Sequence, residues 1–361
     1  MQSEPPLSRA EVDEMVSLVE PSCRVREATA VEKGHSAVYR VRVTAPDGQR
    51  QCVLKAVADD DHRGIATEAR LLTLLAEHTT IPVPGVIGAV DRHDDVPAPF
   101  VLMESVPGTQ HQFEETSALP DRHLERLARQ TGEYLGQLYA LDAVDSFGVV
   151  SHSVATTCHG GRPPSNLDQL QVREGRDSWR PFLWAMVERE LDQHASTQFA
   201  DLTPALRSWF DERVDAVSEP ASPVLGRIDH GVHNLLMDAD TGDIESMLDW
   251  EFALAVTPGY DLQCVEYVLS GAVLSPIPGR PDRRELVREA MIEGYEPVTG
   301  TPTGAIPEYR EYHALFELLA VVRSMNHLDS GLAKVPADHE TAVAAGLRAE
   351  AESFLRGDTQ T

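Results

Sequence analysis

Apolar positions in the first hundred residues follow the periods of a helix, several strands and a second helix. A capping box begins at Ser8 and predicts a helix through about residue 19. Residues 24–57 alternate as strands, with Asp47-Gly48 as the expected hairpin turn. A helix is predicted around 64–77, followed by more strands up to Met103. This order predicts a small mixed lobe with an antiparallel sheet.

Helical periodicity dominates the rest of the chain. Asp121 is expected to cap a long helix whose apolar face consists largely of leucines. Residues 148–164 are polar and contain Gly-Gly and Pro-Pro pairs, so a loop or flexible insert is predicted there. Further helices are predicted near 179–193, 204–217, 282–296, 307–328 and 336–356. The second lobe is therefore expected to be larger and mainly helical.

One lysine lies inside an apolar strand pattern at residues 53–57. It is Lys55, and thirteen residues later Glu68 begins an apolar helical pattern. Lysines are rare here, because only Lys33, Lys55 and Lys334 occur among 31 basic residues. Arginine is a planar fork and lysine a compact charge, so the two are not interchangeable beside a phosphate. Lys55 is therefore predicted to bind nucleotide phosphates with Glu68 as its partner. The alternative is a surface lysine on an edge strand.

Three oxygen-bearing side chains follow at a spacing suited to phosphoryl transfer. Asp229 and Asn234 lie five residues apart, and Asp249 follows fifteen residues later, after the strand-like pair Met247-Leu248. Kinase chemistry needs a carboxylate to orient and deprotonate a hydroxyl, and two oxygen ligands for magnesium. An Asp-x4-Asn pair alone is not specific for a kinase. Its combination with a strand lysine and a helix glutamate is a specific signal.

Residues 227–236 and 248–262 resemble the aminoglycoside phosphotransferase-like family of small-molecule kinases, relatives of choline, homoserine and fructosamine kinases. In the family's His-Gly-Asp-Leu-His-Pro-Gly-Asn-Leu-Leu loop, the base falls on Asp229 and a metal ligand on Asn234. The family's Ile-Asp-Trp-Glu box falls on residues 248–251. The resemblance runs from about residue 20 to about residue 330.

The resemblance implies a protein-kinase-like two-lobe α+β fold and a kinase that uses ATP and Mg²⁺. It implies a nucleotide-binding lobe at 1–104, a hinge near 103–108, and a helical lobe with the catalytic loop and acceptor site at 109–361. Asp229 would take the proton of a small-molecule hydroxyl, on an aminoglycoside-like compound, a sugar or an amino alcohol. Asn234 and Asp249 would hold Mg²⁺. The residues expected to contact the nucleotide are Lys55, Glu68, Gly34, Ser36, Met103, Glu104 and Ser105.

Two departures from the family pattern keep a second function open. The family's His-Gly before the base is Arg227-Ile228 here. The phosphate loop at 32–39 has one glycine where the family often has two. A catalytically silent nucleotide-binding or regulatory module is therefore the alternative function.

Two histidines near Asp229 admit another chemistry. His230 and His233 could form a transition-metal site with Asp229 and Asp249. Gly231 between them favours a loop, so the two histidines are interpreted as loop-packing residues. No GxxxxGK[ST] motif occurs, which excludes a P-loop NTPase.

Four further residues are open to functional interpretation. Cys158-His159 could suggest a thiol nucleophile with its base, but adjacent side chains seldom act on one target, and an ordinary loop is predicted. Glu251 is expected either to face the acceptor or to be solvated. Asp261 is expected to accept hydrogen bonds from loop backbone near the catalytic segment.

Charge narrows the class of partner. The formal net charge is −27, and 58 of the 361 residues are acidic. Dense carboxylate with little lysine suits a molar-salt cytoplasm, where screening reduces self-repulsion, so a halophilic source is predicted. The alternative is an ordinary acidic protein with an arginine bias. No basic patch offsets the charge, so neither nucleic acid nor an anionic membrane is an expected partner.

Cysteine usage and the N-terminus indicate the compartment. Four cysteines are scattered along the chain without a CxxC pair, which is typical of reduced thiols in a cytosol. The first residues lack the basic region and apolar core of a signal peptide, and no apolar run is long enough to span a bilayer. A cytoplasmic protein is therefore predicted.

Overall fold

The structure is a computed structural model that describes residues 7–31, 36–57, 64–300, 306–328 and 336–357. Its helices are α1 (Arg9–Val19), α2 (Gly64–His78), α3 (Asp121–Tyr139), α4 (Trp179–His194), α5 (Thr203–Asp215), α6 (Pro258–Leu269), α7 (Arg284–Thr299), α8 (Pro307–Glu311), α9 (His313–Asn326) and α10 (Ala337–Arg356). Its strands are β1 (Arg24–Val31), β2 (Ala37–Ala45), β3 (Gly48–Ala56), β4 (Val86–Val90), β5 (Phe100–Glu104), β6 (Phe147–His152), β7 (Leu170–Arg176), β8 (Val224–Gly226), β9 (Leu235–Met237), β10 (Ile244–Met247) and β11 (Leu254–Val256). An antiparallel sheet followed mainly by helices is the predicted α+β, protein-kinase-like arrangement.

The N-terminal strands form one antiparallel sheet with the order β1-β2-β3-β5-β4. In the β2–β3 hairpin Ala45 pairs with Gly48, so the turn residues are Pro46 and Asp47. The turn thus lies one residue earlier than the Asp47-Gly48 prediction. Gly48 has a φ of 137°, a conformation open to glycine, and it begins the returning strand.

α1 begins as the capping box predicts and covers the core of this sheet. The Ser8 hydroxyl accepts the Glu11 N–H, and the Glu11 carboxylate accepts the Ser8 N–H at 2.7 Å. The buried face of α1, made of Val12, Met15 and Val16, belongs to the same apolar cluster as the inward side chains of β2 and β3. Burial of these apolar side chains fixes the helix on the sheet.

Part of the polar stretch 148–164 forms β structure, contrary to the predicted loop. β6 occupies its start, and β7 follows soon after. Farther along, the Gly160 N–H donates to Ala89 O at 2.8 Å, and the Ala89 N–H donates to Gly161 O at 3.1 Å. These bonds continue the sheet past β4. Polar and glycine-rich residues carry no apolar alternation, so the hydrophobic pattern could not predict this pairing.

Helices pack around an aromatic centre in the C-terminal part of the chain. The ring centroids of Trp179 and Tyr260 lie 5.4 Å apart, and those of Tyr260 and Phe316 lie 5.3 Å apart. Tyr260 belongs to α6, a helix that the periodicity did not predict, since nearly all its residues are buried.

Two helix boundaries differ from the prediction. Residues 307–328, predicted as one helix, are divided at Tyr312 into α8 and α9. Asp121 is the first residue of α3, and Pro120 takes the cap position instead.

The chain folds as two compact units. The first comprises Met1–Gly108, Val150–Arg173 and Glu245–Ala253, and the second Thr109–Val149, Glu174–Ile244 and Leu254–Thr361. The division therefore differs from a single cut into 1–104 and 109–361. Two later segments join the first unit because residues 158–161 pair along β4 and because the Met247 N–H donates to Pro82 O at 2.7 Å.

Across the residues that the structure describes, no helix combines the length and the apolar character needed to cross a membrane.

Two glycines allow α3 and α7 to approach closely within the second unit. A Cβ on Gly294 would lie 1.8 Å from Arg129 O, and a Cβ on Gly132 would lie 2.0 Å from Met291 O. Gly294→Ala should therefore lower the free energy of unfolding by about 1–3 kcal/mol, since the helices must separate. Urea unfolding followed by circular dichroism measures the change. Gly161→Ala, whose Cβ would meet no atom within 4 Å, is the control. Equal midpoints for the two variants would contradict this packing.

Candidate active site

Lys55 and Glu68 meet in the first unit. Lys55 is carried by β3, and Glu68 by the second turn of α2. The Lys55 Nζ lies 2.8 Å from Glu68 Oε2, and the two side chains are only 8% and 3% exposed. The structure thus forms the strand–helix ion pair that the spacing predicts, and Lys55 is not a surface residue on an edge strand.

The segment after β10 adds two more carboxylates to Lys55. The Nζ donates to Asp249 Oδ1 at 3.0 Å and lies 3.5 Å from Glu251 Oε1. Asp249 has a φ of 62°, which is uncommon for a residue other than glycine. The Trp250 N–H donates to Glu68 Oε1 at 3.0 Å, so the same glutamate anchors both the lysine and the backbone after Asp249. Left-handed backbone persists only where the surroundings fix it, and these bonds supply that constraint.

Glycine at the start of α2 makes this approach possible. A Cβ on Gly64 would lie 2.8 Å from both the Cβ and the carbonyl oxygen of Glu251. α2 can therefore bring Glu68 against the 249–251 segment only with glycine at this position.

The Lys55 ammonium keeps its charge despite burial. Burial lowers the pKa of the Lys55 ammonium, but the carboxylates of Glu68, Asp249 and Glu251 outweigh it and hold that pKa above its ordinary value. Burial raises the pKa of the Glu251 carboxyl, against the attraction of Lys55. Lys55 is therefore a buried, permanently charged ammonium.

Glu251 is buried, so the solvated interpretation is wrong. It is 7% exposed and accepts a hydrogen bond from the Ser36 hydroxyl at 3.2 Å. It therefore links Ser36, in the predicted phosphate loop, to Lys55. Gly34, the other predicted loop contact, lies outside the described residues.

Two of the predicted hinge residues, Met103 and Glu104, end β5, and the third, Ser105, follows it. Met103 is buried in β5 and pairs with Val53 and Val86. The Glu104 N–H donates to Gly85 O at 2.8 Å. Ser105 is the first residue beyond the strand, and it is exposed.

The catalytic-loop residues lie in the second unit, between β8 and β9. The Asn234 Nδ2 donates to Asp229 Oδ2 at 3.0 Å and to Asp229 O at 3.3 Å, across a short 3₁₀ turn at Val232–Asn234. His233 Nε2 lies 3.4 Å from Asp229 Oδ1. The sequence analysis placed His233 beside Asp229 only in a metal site and interpreted it as a loop-packing residue. Its position next to Asn234 was the signal for this contact. The Asp229 side chain is 57% exposed.

The carboxyl of Asp229 is held in its ionised form. Partial loss of its water shell raises its pKa, but the hydrogen bond from His233, the charge of Arg227 and the amide of Asn234 hold that pKa below its ordinary value. His230, in contrast, is fully buried, and burial next to Arg227 holds its pKa well below the usual range. His230 is a neutral packing residue, as the sequence indicates.

The alternative chemistries find no support in the geometry. Among the described residues, the carboxylates that gather closely enough to share a metal belong to Glu68, Asp249 and Glu251, without either histidine. Cys158 is buried, its N–H donates to Asp91 Oδ2 at 2.7 Å, and burial raises the pKa of its thiol. A buried thiol with a raised pKa is a structural cysteine.

A buried carboxylate anchors the start of the catalytic loop. Asp261 of α6 accepts the Arg227 N–H at 2.9 Å and the Tyr139 hydroxyl at 2.8 Å. The predicted structural role of Asp261 is thereby confirmed. A Cβ on Gly226 would lie 2.6 Å from a Val256 methyl and 3.1 Å from the Asp261 carboxyl, which explains the glycine that ends β8. The loop is therefore fixed even though Arg227-Ile228 replaces the family's His-Gly.

Comparison with known families agrees with the motif assignment. The model of a phosphotransferase enzyme family, APH, matches residues 27–315. No curated protein matches the chain.

Solved structures resemble the whole chain. A thermostable mutant of aminoglycoside phosphotransferase APH(4)-Ia, in ternary complex with ADP and hygromycin B, is 14% identical, with 97% and 100% of the two chains covered and a TM-score of 0.56. The GDP and kanamycin complex of APH(2″)-IIIa is 18% identical, with coverages of 96% and 99% and a TM-score of 0.56. Macrolide 2′-phosphotransferase MphH from Brachybacterium faecium is 19% identical, with coverages of 93% and 97% and a TM-score of 0.51. At these identities the likeness shows the fold.

The Asp261 carboxyl should give the stability of the chain a defined pH dependence. Burial raises its pKa from 3.8 to about 6, against the hydrogen bonds from Tyr139 and Arg227. Folding favours the protonated form of this carboxyl, which therefore adds to the free energy of unfolding. This contribution is complete below about pH 4 and is lost as the pH rises through about 6. Relative to Asp261→Asn, the wild type should lose about 3 kcal/mol of unfolding free energy between those limits.

Urea titrations at a series of pH values measure this difference. Asp240→Asn, which changes an exposed aspartate, is the control and should follow the wild type. Parallel pH profiles for the wild type and Asp261→Asn would contradict the burial of an ionisable carboxyl at this position.

Proposed function

This chain belongs to the phosphotransferase enzyme family and is a small-molecule kinase, and we propose that it transfers the γ-phosphate of MgATP to a hydroxyl group. The observation that carries the proposal is the buried Lys55, which is held by Glu68 and faces Asp249 within 3.0 Å. A charged lysine with a fixed helix partner next to a metal-binding carboxylate is the phosphate-binding arrangement of kinases.

On the nucleotide side, Lys55 binds phosphate oxygens and Glu68 keeps its ammonium in place. When nucleotide binds, phosphate oxygens replace Asp249 as the partner of Lys55 in this proposal. The Asp249 side chain is 39% exposed, so it can turn toward a cation instead. The backbone amide of Ser36 is the proposed cover of the phosphates. Ser105 is the first predicted hinge residue outside the sheet, so its backbone is the proposed contact for adenine, next to Met103 and Glu104.

Asn234 and Asp249 fit Mg²⁺ by their donor atoms. The Asn234 Nδ2 is used by Asp229, which leaves its amide oxygen as the free ligand atom. Carboxylate and amide oxygens are the ligands that Mg²⁺ prefers. When bound, Mg²⁺ neutralises charge on the phosphates.

On the acceptor side, Asp229 orients the attacking hydroxyl and accepts its proton. Its carboxylate is exposed, ionised and held by Asn234. As the hydroxyl oxygen bonds to the γ-phosphorus, the bond between the γ-phosphorus and the oxygen that bridges it to the β-phosphate breaks. The hydroxyl proton passes to Asp229. Most of the acceleration comes from alignment and charge neutralisation, since the transition state is loose.

The acceptor is a small molecule with a reactive hydroxyl. The similar structures contain hygromycin B and kanamycin, or belong to a macrolide phosphotransferase and a fructosamine kinase. The acidic, lysine-poor composition supports molar salt as the working environment. The four free cysteines, all buried, support a reducing cytoplasm. Assays therefore use molar KCl and a panel of aminoglycosides, macrolides, sugars, amino alcohols and glycated amines. The alternative, a silent binding module, rests on Arg227-Ile228 and on the single glycine of the 32–39 loop. The Lys55–Glu68 ion pair and the Asn234–Asp229 hydrogen bond support transfer instead.

Asp229→Asn should lower transfer to the acceptor roughly 10²–10⁴-fold, because the amide cannot accept the proton. Nucleotide affinity should stay near that of the wild type, since Lys55 and Glu68 are unchanged. Acceptor-stimulated, magnesium-dependent ATP consumption and nucleotide titration measure the two effects. Asp240→Asn is the matched control. Turnover like the wild type in Asp229→Asn would exclude this residue as the base.

Asp249→Ala should remove most of the magnesium dependence of ATP binding. Lys55 retains Glu68 and Glu251 in this variant, so the fold should persist. Calorimetric titration with ATP, at a series of magnesium concentrations, checks the prediction against Asp240→Ala. An unchanged metal dependence would contradict the assignment of Asp249 as a ligand.

A further inference from the structure

His233 contacts the proposed base from the side opposite Asn234. Its Nε2 lies 3.4 Å from Asp229 Oδ1, while Asn234 Nδ2 donates to Oδ2 at 3.0 Å. Each oxygen of this exposed carboxylate therefore faces one side chain of the same turn. An aspartate with only one of these partners can rotate about its side-chain torsions.

The ring of His233 is packed on two sides, although its side chain is 30% exposed. A Cβ on Gly231 would lie 2.4 Å from His233 Cε1 and 2.5 Å from Nδ1, so the ring occupies space that only glycine leaves open. Phe113 meets the ring edge-on, with centroids 5.8 Å apart at 87°. These contacts restrict the imidazole to one orientation.

The residues after the hinge hold the backbone of His233. Gln110 Nε2 donates to His233 O at 2.6 Å. One residue earlier, Thr109 exchanges backbone hydrogen bonds of 2.8 and 3.0 Å with Met237. The segment from Thr109 to Phe113 thus contacts both His233 and the strand that follows its turn.

The surroundings also select the tautomer of the ring. His233 Nδ1 is buried and has no hydrogen-bond partner among the described residues. A proton on Nδ1 would therefore lack an acceptor, which favours the tautomer with its proton on Nε2. In that form Nε2 donates toward the Asp229 carboxylate.

We propose that His233 is a positioning residue that fixes the carboxylate of Asp229 for attack by the acceptor hydroxyl. This inference rests on the proposed function of Asp229 as base. Its structural content, that the ring orients the carboxylate, stands apart from activity.

Side-chain geometry separates positioning from mere packing. Glutamine places its amide nitrogen near the position of the histidine Nε2, whereas asparagine reaches only as far as Nδ1. His233→Gln should therefore keep kcat within a few-fold of the wild type. His233→Asn and His233→Leu should lower kcat roughly 10- to 100-fold, because a misplaced base loses alignment. The KM for MgATP should not change in any of the three variants.

Steady-state kinetics with the accepted substrate test this order, and His159→Leu is the control at an exposed histidine. Equal kcat losses in the Gln, Asn and Leu variants would overturn the proposal, because a packing role does not distinguish donors. A kcat like the wild type in His233→Leu would overturn it as well.

Crystal structures of the wild type and His233→Leu supply a measurement that does not depend on catalysis. The Asp229 carboxylate should occupy one position in the wild type and a rotated or divided position in the variant. An unchanged carboxylate in the variant would refute the positioning role. A wild type without transfer to any acceptor would instead reject the proposed function, and the carboxylate positions would still decide the role of His233.

Discussion

A buried ammonium surrounded by carboxylates is the constraint on which the first unit depends. Lys55 comes from β3, Glu68 from α2, and Asp249 and Glu251 from the segment after β10. A buried charge is costly unless it is paired, so these elements must meet for the unit to fold. The same requirement holds Asp249 in a left-handed conformation and excludes a side chain at Gly64. The interaction that organises the unit also brings together Lys55, Glu68 and Asp249, three of the residues proposed for phosphoryl transfer.

Some residues of the site could be recognised from the sequence, by their composition or by their spacing. Lys55 stood out because arginine had replaced almost every other lysine, and Glu68 followed at a strand–helix spacing. The structure forms their ion pair at 2.8 Å. Asp261 could likewise be assigned to the loop backbone, and it accepts the Arg227 N–H. The α+β class and most helices followed from periodicity, because amphipathic helices at the surface carry a clear period.

Contacts between distant segments could not be predicted. The pairing of residues 158–161 with β4 lies in polar, glycine-containing sequence, where backbone hydrogen bonds leave no apolar pattern. α6 is buried on nearly all sides and therefore lacks an amphipathic period. Glu251 accepts a bond from Ser36, 215 residues earlier in the chain, and no local rule relates such a pair. The sequence analysis interpreted His233 as a packing residue. Its contact with the Asp229 carboxylate depends on how a glycine-containing turn closes, which the sequence pattern does not show.

The most direct test of the central claim is a crystal structure with Mg²⁺ and a non-hydrolysable ATP analogue. The account predicts that Lys55 keeps Glu68 and exchanges Asp249 for phosphate oxygens. Asp249 and the Asn234 amide oxygen should then both be ligands of the metal. A nucleotide bound while Lys55 remains on Asp249, or a metal held without these two residues, would contradict the account.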